Sequence, residues 1–287
     1  MAQMYTDTKQ RRVTPIGLSG LLIALCGLCD ALPLAAEDKK PDDKKPQLLV
    51  AVPLVVSPGA LAKLTLRGRR IDEASEIRAT VGDVKVETKL VAKQKGDGGD
   101  GQGGGRSGDS QVEIELNLPG DAQGAVKFVA VTPAGESEPY ELPLLAAEQI
   151  EQEREPNDGL DGQSTGTEVA SRSAQPLSLG KVLVGRIERG QDVDVFSFDA
   201  PAGQPLVIEI NARRLGSPLD PILTLFDARG SILASSDDIL PSGNDMGGSV
   251  DARIEHTSPG GALFVAVMDA HDQGSPNHGY QLTIRQR

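Results

Sequence analysis

Hydrophobic and polar residues alternate along much of Leu48–Leu145. In the clearest run, Val112–Leu118, a Val, Ile or Leu occupies every second position, and Glu or Asn stands between them. Shorter alternations cover Lys63–Arg67, Val126–Ala130 and Tyr140–Leu144. Successive side chains of a strand point to opposite faces of a sheet. A period of two therefore predicts strands that pack one face on a core and leave the other in water.

Turn sequences rich in Pro and Gly separate these alternating runs. They occur at Ser57–Gly59, Pro119–Asp121 and Pro133–Gly135. Because Pro fixes φ and Gly tolerates positive φ, both residues are typical of tight turns. Many short strands joined by regular turns predict a β-sandwich.

Two segments of this first region are similar to the IPT/TIG modules of bacterial surface proteins. They are SPGALAKLTLRGRRIDEASEIRA at Ser57–Ala79 and TPAGESEPYELPL at Thr132–Leu144. The resemblance implies an immunoglobulin-like β-sandwich, which we expect over residues 47–146.

A glycine-rich tract, Gly96–Asp109, interrupts the first region with the sequence GDGGDGQGGGRSGD. The tract has no apolar side chain and therefore nothing to contribute to a core. Asp and Gly also occur in calcium-binding loops, but the EF-hand spacing is absent. We predict a disordered loop between two strands.

The second half has strand candidates of its own, punctuated by Gly and Pro. A polar and acidic segment, Ala146–Arg154, joins the halves and is a candidate for a short helix. The strands predicted beyond it are Val182–Ile187, Val193–Phe198, Leu206–Ile210, Ile222–Phe226, Arg253–Glu255, Leu263–Val267 and Tyr280–Ile284.

A series of motifs in this half resembles the bacterial pre-peptidase C-terminal domain. In chain order they are EREPNDG at Glu153–Gly159, GRIERGQDVDVFSFDAPAGQPLVIEI at Gly185–Ile210, LDPILTLFDARGSILASSDD at Leu219–Asp238, LFVAVMD at Leu263–Asp269 and GYQLTI at Gly279–Ile284. The resemblance implies a jelly-roll-like β-sandwich over residues 147–287, of a kind that is usually an accessory domain of secreted proteins. The fold class we predict is all-β, with two β-sandwich domains in tandem.

Six oxygen-bearing side chains form two groups within these motifs. They are Glu153, Glu155, Asn157 and Asp158 in the first group, and Asp192 and Asp194 in the second. Residues two apart in a strand point to the same face, so we expect the aspartate pair to share a face. Clustered carboxylates repel one another unless a cation or a proton offsets their charge. Calcium takes about six to eight oxygen ligands with tolerant geometry, which suits such a set.

The family resemblance implies the same metal. In collagen-binding relatives of this family, an N-terminal acidic segment and a later aspartate pair bind calcium. The resemblance therefore implies that all six residues are calcium ligands. The alternative is structural, because Asn157 and Asp158 before Gly159 are also typical of a turn, and Asp194 could cap a loop.

A further acidic group surrounds a glycine-containing loop between residues 237 and 251. Its members are Asp237, Asp238, Asp245 and Asp251. We interpret this loop as a solvated hairpin, with a cation site as the alternative. The three histidines are too scattered for a metal site, and we expect two of them, His271 and His278, at the surface.

The N-terminus has the features of a secretory signal peptide, which we expect over residues 1–36. Three basic residues precede the uncharged run Ile16–Cys29, and the small residues Ala35 and Ala36 suit cleavage. The run has fourteen residues, whereas a membrane-spanning helix needs roughly 20, so an uncleaved anchor is the less favoured alternative. We predict a solvated linker at residues 37–46 and no transmembrane segment in the mature chain.

Both cysteines of the chain, Cys26 and Cys29, lie within this apolar run. A mature protein without residues 1–36 therefore has no thiol. That excludes disulfides, cysteine nucleophiles and cysteine-ligated zinc from the mature part.

The net charge of the 287-residue chain is −12. After removal of residues 1–36, 26 basic and 39 acidic residues remain, which gives −13. A chain this acidic repels nucleic acid and anionic membranes. We therefore expect no nucleic-acid partner. From the signal peptide we expect a secreted, periplasmic or cell-envelope protein, whose partner would be an extracytoplasmic protein or a polysaccharide.

Catalytic signatures are scarce in the sequence. It has no G-x-S-x-G elbow, no H-E-x-x-H and no phosphate-binding glycine loop. We therefore expect a non-catalytic binding or accessory protein and rank a hydrolase below it. A carbohydrate- or collagen-binding module is the main alternative. Against it, the chain has no Trp, and Tyr140 and Tyr280 are its only tyrosines beyond residue 36.

Overall fold

The computed structural model describes residues 45–96, 107–157, 174–238 and 251–287. Within these ranges the chain is built almost entirely of β-strands and forms two β-sandwiches in tandem, which confirms the predicted all-β fold class. The signal peptide predicted at 1–36 lies outside the described residues. None of the helices described is long and apolar enough to cross a membrane.

The first sandwich consists of two antiparallel sheets. Its described strands are β1 (Gln47–Val52), β2 (Leu61–Arg69), β3 (Glu76–Val81), β4 (Val84–Val86), β5 (Thr88–Lys95), β6 (Ser110–Asn117), β7 (Ala125–Thr132), β8 (Gly135–Glu136) and β9 (Tyr140–Pro143). One sheet has the order β1-β2-β6-β5. The other has the order β4-β3-β7-β8, and β9 also pairs with β7.

The predicted alternation is clearest in β6. Burial alternates along this strand, so that Val112, Ile114 and Leu116 face the core and Glu113 and Glu115 face outward. Val, Leu and Ile side chains of both sheets close the first core around a fully buried phenylalanine, Phe128. The hydrophobic effect holds the two sheets together at this layer.

The second sandwich also has two sheets, each with five strands. Its described strands are β10 (Ile150–Gln152), β11 (Gln175–Pro176), β12 (Val182–Arg186), β13 (Asp194–Ala200), β14 (Pro205–Asn211), β15 (Pro221–Asp227), β16 (Ile232–Ser236), β17 (Arg253–Thr257), β18 (Gly261–Asp269) and β19 (Gly279–Gln286). The sheet orders are β10-β12-β19-β14-β17 and β11-β13-β18-β15-β16. The pairs β10–β12 and β11–β13 are parallel, and the other pairs are antiparallel.

All seven strands predicted in the second half are present, with ends within about two residues of the expected ones. Three short strands were not predicted, namely β10, β11 and β16. The segment proposed as a short helix contains one 3-10 turn, Ala147–Gln149, followed directly by β10. The core between the sheets is aliphatic except for Phe196, Phe198 and Tyr280.

The two ends of the glycine-rich tract belong to the folded sandwich. The Gly96 amide donates to the Asp109 carbonyl at 2.8 Å, and the Asp109 carboxylate accepts from the Arg70 amide at 2.9 Å. Ser107 is fully buried. Gly108 has φ of +83°, and a Cβ there would lie 1.9 Å from a carbonyl oxygen. The expectation that the disordered loop runs from 96 to 109 therefore does not hold at its ends, and residues 97–106 lie outside the described part.

The end of the predicted linker also contacts the first sandwich. Arg70 donates from its guanidinium Nε to the Lys45 carbonyl at 3.1 Å, and Pro46 is buried. Residues 37–44 of the linker lie outside the described part of the chain. The chain is thus already folded against the sandwich two residues before β1 begins.

Candidate functional site

Three carboxylate side chains meet at one corner of the second sandwich. Glu153, Glu155 and Asp194 each place one oxygen so that the three oxygens lie within 4.8 Å of one another. Asp194 is fully buried, Glu153 is partly buried and Glu155 is exposed. We call these three residues the acidic cluster. It is a group that could hold a metal ion.

Strand pairing places Glu153 in this cluster. β10 runs parallel to β12, and the Glu153 amide donates to the Val184 carbonyl at 3.0 Å. Its carboxylate Oε2 accepts from the Arg186 amide at 2.7 Å. Glu153 is therefore fixed by its backbone and by one carboxylate oxygen, while Oε1 faces its neighbours in the cluster.

Asn157 holds residues 153–157, which we call the acidic segment, against the second sandwich. Its side-chain Nδ2 donates to Glu153 Oε1 at 3.1 Å, and its amide donates to Glu155 Oε2 at 3.0 Å. Its carbonyl accepts from the Val195 amide at 3.0 Å. Through these bonds a fully buried Asn157 brings Glu153 and Glu155 beside the start of β13. The remaining residue predicted in this segment, Asp158, lies outside the described part of the chain.

Asp194 is the first residue of β13 and the most buried member of the cluster. Burial raises its pKa most, followed by the charge of Glu153 and a hydrogen bond with Glu153. The Tyr280 hydroxyl opposes this rise, and the charge of Asp192 adds to it, so that the pKa of Asp194 is about 10. In the absence of a cation, Asp194 therefore holds a proton at neutral pH. A buried carboxylate beside other carboxylates must be neutralised by a proton or by a cation.

Tyr280 joins two members of the cluster. Its hydroxyl lies 2.9 Å from Glu153 Oε1 and 2.5 Å from Asp194 Oδ2. A hydroxyl has one proton, so it donates to one carboxylate and can accept a proton carried by the other. Burial and then the charges of Asp194 and Glu153 raise the pKa of Tyr280 well above its usual value, so the hydroxyl keeps its proton.

Two buried oxygens near the cluster lack hydrogen-bond partners among the described residues. They are Asp194 Oδ1 and Asn157 Oδ1. Leaving a buried acceptor without a partner costs about 1–3 kcal/mol, more when it is charged. Both oxygens are of the carboxylate and amide types that hard cations prefer. The donor set therefore fits a cation.

Asp192 does not lie in the same strand as Asp194, as the face-sharing argument assumed. β13 begins at Asp194, so Asp192 precedes the strand and the face-sharing argument does not apply to it. Its Oδ2 accepts from the Glu188 amide at 2.6 Å, and Oδ1 lies 3.4 Å from the Arg189 guanidinium. This buried carboxylate thus closes the loop between β12 and β13, and its charge still acts on Asp194.

Sequence reasoning missed Tyr280 and Gly185 as parts of the site. Gly185 lies directly across the β12–β19 pair from Tyr280. Both belong to the motifs quoted above, yet their proximity depends on a pairing between strands almost 100 residues apart. The available signal was Tyr280 itself, since it is one of only three tyrosines in the chain.

The second acidic group is not assembled as a site in the described residues. Asp251 is fully buried and accepts from the amides of Ala212, Arg213 and Arg214 and from Arg214 Nε. It therefore holds a 3-10 turn, Arg213–Leu215, in place. Asp237 and Asp238 are exposed, and Asp245 lies outside the described part.

The surface expectation for the histidines is wrong for His278. This residue is buried, and its Nδ1 lies 2.8 Å from Ser275 Oγ, which ties the turn before β19 together. His271 is exposed as expected, with its Nδ1 3.5 Å from Asp220 Oδ2. Neither residue contacts the acidic cluster through the bonds described.

A family comparison bears directly on this half of the chain. Residues 192–267 match the model of the Bacterial pre-peptidase C-terminal domain. The match includes Asp192 and Asp194 but ends before Tyr280, and it begins after Glu153 and Glu155. It confirms the resemblance predicted from the motifs of the second half, whereas the IPT/TIG-like interpretation of the first half stays a prediction.

Comparison with solved structures gives distant similarities. One is to the pre-peptidase C-terminal domain of a collagenase from Bacillus anthracis, at 12% identity and a TM-score of 0.30, covering 39% of this chain and 93% of that chain. Another is to PliG, a periplasmic inhibitor of g-type lysozyme from Aeromonas hydrophila, at 13% identity and a TM-score of 0.28, covering 40% and 96%. A third is to SGBP-B from a xyloglucan utilization locus of Bacteroides uniformis, at 11% identity and a TM-score of 0.25, covering 84% and 73%. The comparison with curated proteins found no match.

Proposed function

We propose that this chain is an exported, non-catalytic binding or accessory protein whose second sandwich is stabilised by calcium at the acidic cluster. Glu153, Glu155, Asn157 and Asp194 would supply the ligands around the cluster. Asp158 and Asp192 complete the ligand set that the sequence predicts. The partner class that we propose is an extracytoplasmic protein or a polysaccharide.

The observation that carries the calcium proposal is the buried Oδ1 of Asp194. This oxygen has no hydrogen-bond partner among the described residues, although it lies in a group of three carboxylates. A purely structural role as a cap would have left it paired with an amide, as happens at Asp251. A bound cation would account for a buried carboxylate oxygen that none of the described residues bonds.

Calcium suits this ligand set better than the smaller magnesium ion. The set combines two carboxylates that follow β10, one carboxylate at the start of β13 and the side-chain oxygen of Asn157. Calcium tolerates such irregular arrangements. Magnesium demands near-ideal octahedral geometry and gives up its water reluctantly. Zinc would favour nitrogen or sulfur ligands, and the acidic cluster has neither.

When bound, calcium would supply positive charge where the protein has buried negative charge. It would replace the proton on Asp194 and compensate Glu153, while Tyr280 remains a donor to the cluster. It would also tie the acidic segment to β13 in addition to the Asn157 bonds. A ligand that binds only the folded state stabilises it by mass action.

Isothermal titration of the full chain with calcium chloride tests the site. The expected result is saturable binding that is lost in Asp194→Asn. Asp199→Asn is the matched control, because Asp199 lies on the same strand but is exposed. Saturable binding of equal strength in all three proteins would show that the cluster is not the site.

Export is tested separately by fractionation with N-terminal sequencing. The basic segment and apolar run before Ala36 predict a processed form outside the cytoplasm. Recovery of only the full-length form from the cytoplasm would contradict the proposal.

A further inference from the structure

The two sandwiches belong to one compact unit and meet through specific contacts. Tyr140 of β9 is at the centre of the first contact. Its hydroxyl accepts from the Ala51 amide at 3.1 Å and donates to the Leu215 carbonyl at 2.8 Å. A single phenol thus links two strands of the first sandwich to a 3-10 turn of the second.

The residue after that turn fits closely against β1. Gly216 has φ of +84°, and a Cβ there would lie 1.8 Å from the Leu49 carbonyl oxygen. Only glycine permits both this backbone conformation and this approach. Asp251 holds the same turn by accepting from the amides that begin it.

The second contact lies between the segment after β1 and the start of β19. Gln281 donates from its side-chain Nε2 to the Leu54 carbonyl at 2.9 Å. Leu54 itself is 2% exposed, and the Cβ position of Gly279 is 3.3 Å from its side chain. Gln281 is also buried. This contact therefore excludes water and pairs its polar groups, as a stable interface requires.

Three consecutive residues of β19 connect the interface to the acidic cluster. Gly279 and Gln281 contact Leu54, and Tyr280 between them donates into the cluster. Since neighbouring side chains of a strand point to opposite faces, one short stretch serves both sites. Because Tyr280 and Gln281 are neighbours in β19, a backbone shift at Tyr280 would also move Gln281.

A second connection between the interface and the acidic cluster runs along the chain itself. The Leu145 amide donates to the Val56 carbonyl at 3.1 Å, and the Val56 amide donates to the Pro143 carbonyl at 3.3 Å. From Leu145 the chain runs through one 3-10 turn and β10 to Glu153. The segment from Leu54 to Val56 is therefore linked to the cluster through Gln281 on one side and through Leu145 on the other.

From these contacts we infer that cation occupancy of the acidic cluster is coupled to docking of the first sandwich on the second. The inference rests on the proposed calcium site. A cation that draws Glu153 and Asp194 together would restrain both β10 and Tyr280. Tyr280 is connected to Leu54 through Gln281, and β10 is connected to Val56 through Leu145. Coupling between sites is reciprocal, so the factor by which the cation strengthens docking is also the factor by which docking raises the affinity of the cluster for the cation. A variant that populates the undocked form must therefore bind the cation more weakly.

Calcium titration of interface variants tests the coupling in the full chain. Gln281→Ala removes one interface hydrogen bond, and Leu54→Ala removes the buried side chain on the other side of the contact. Neither residue belongs to the cluster. Both variants should bind calcium at least about fivefold more weakly than the wild type, the low end of typical allosteric coupling. Gln286→Ala is the control, because Gln286 lies exposed near the far end of β19 and should leave the affinity unchanged.

Hydrogen exchange gives a second readout that does not depend on affinity. In the wild type, calcium should slow exchange of the Val56 and Leu145 amides as well as the Val195 amide beside the cluster. In Gln281→Ala the effect on Val56 and Leu145 should shrink. Leu54→Ala creates a cavity and costs stability, so Gln281→Ala is the decisive variant.

The outcomes separate the two proposals. Wild-type affinity in Gln281→Ala, with calcium slowing exchange at Val195 but not at Val56 or Leu145, would overturn the coupling and leave the calcium site standing. Absence of calcium binding to the wild type would overturn the site and the coupling with it.

Discussion

Gly185 and Tyr280 face each other across the β12–β19 pair, and the tyrosine ring occupies the space that a side chain on Gly185 would need. A Cβ at Gly185 would lie 2.5 Å from the Tyr280 hydroxyl oxygen and 2.5 Å from its Cζ. The glycine thus permits the ring to cross the strand and reach Glu153 and Asp194. The acidic cluster depends on a residue that contributes no ligand.

Gly185→Ala should displace Tyr280 and loosen the cluster. Overpacking of a core typically costs about 1–3 kcal/mol, and we expect the free energy of unfolding in urea to fall by that amount. Gly120→Ala is a matched control, since the nearest atom to its Cβ position is 3.9 Å away. Equal stability of the two variants would show that Tyr280 can reach the cluster by another path.

Tyr280→Phe should keep the ring packing and remove the hydroxyl. The hydroxyl donates to charged or shared-proton carboxylates, and hydrogen bonds to charged groups contribute about 1.5–3 kcal/mol. Urea unfolding in the presence of a chelator should therefore show a loss of this size. An unchanged unfolding midpoint would mean that Glu153 and Asp194 share their proton without help from the tyrosine.

The glycine-rich tract should be dispensable only in its middle. Joining Gly96 to Ser107 retains the bond between Gly96 and Asp109, so the melting temperature should change little. Joining Lys95 to Ser110 removes Asp109 and the buried Ser107, and should lower the melting temperature measurably. Equal melting temperatures for the two deletions would contradict the role given to the ends of the tract.

Asp109 should give the first sandwich a pH-dependent contribution at acid pH. Partial burial would raise its pKa, but the bonds from the Arg70 amide and the Ser110 hydroxyl, with the charge of Arg70, lower it below 3.8. A lowered folded-state pKa means that the stabilisation is complete above pH 3.8 and is lost as pH falls through the folded value. The free energies of unfolding of wild type and Asp109→Asn should therefore differ at neutral pH and converge as the pH falls through the lowered pKa of Asp109. A difference of the same size at every pH would show that ionisation of Asp109 does not carry the effect.

The alternating strands could be predicted from the sequence because the polarity of each residue alone indicates whether its side chain faces the core or the solvent. Val112, Ile114 and Leu116 are apolar and buried, and the acids between them are outward. The seven long strands of the second half follow the same logic. β10, β11 and β16 are short and partly exposed, so their own residues show no clear alternation. They form through pairing with other strands: β10 with β12, β11 with β13 and β16 with β15.

The acidic residues of the candidate site could be predicted as a group, but their arrangement could not. Glu153, Glu155 and Asp194 come together because β10 pairs with β12 and β13 lies opposite. Asp192 lies two residues before Asp194, yet it precedes β13, and its Oδ2 accepts from the Glu188 amide. Local spacing gives the type of chemistry, whereas strand register decides which oxygens meet.

The account depends most directly on one measurement, the melting temperature of the full chain in calcium and in chelator. Calcium should raise it, by a stabilisation of about 2.7 kcal/mol when free calcium is roughly 100 times its dissociation constant. Asp194→Asn and Glu155→Ala should each remove most of the difference, whereas Asp199→Asn should preserve it. An identical melting temperature of the wild type in calcium and in chelator would contradict the calcium site and return Asp194 to a structural role.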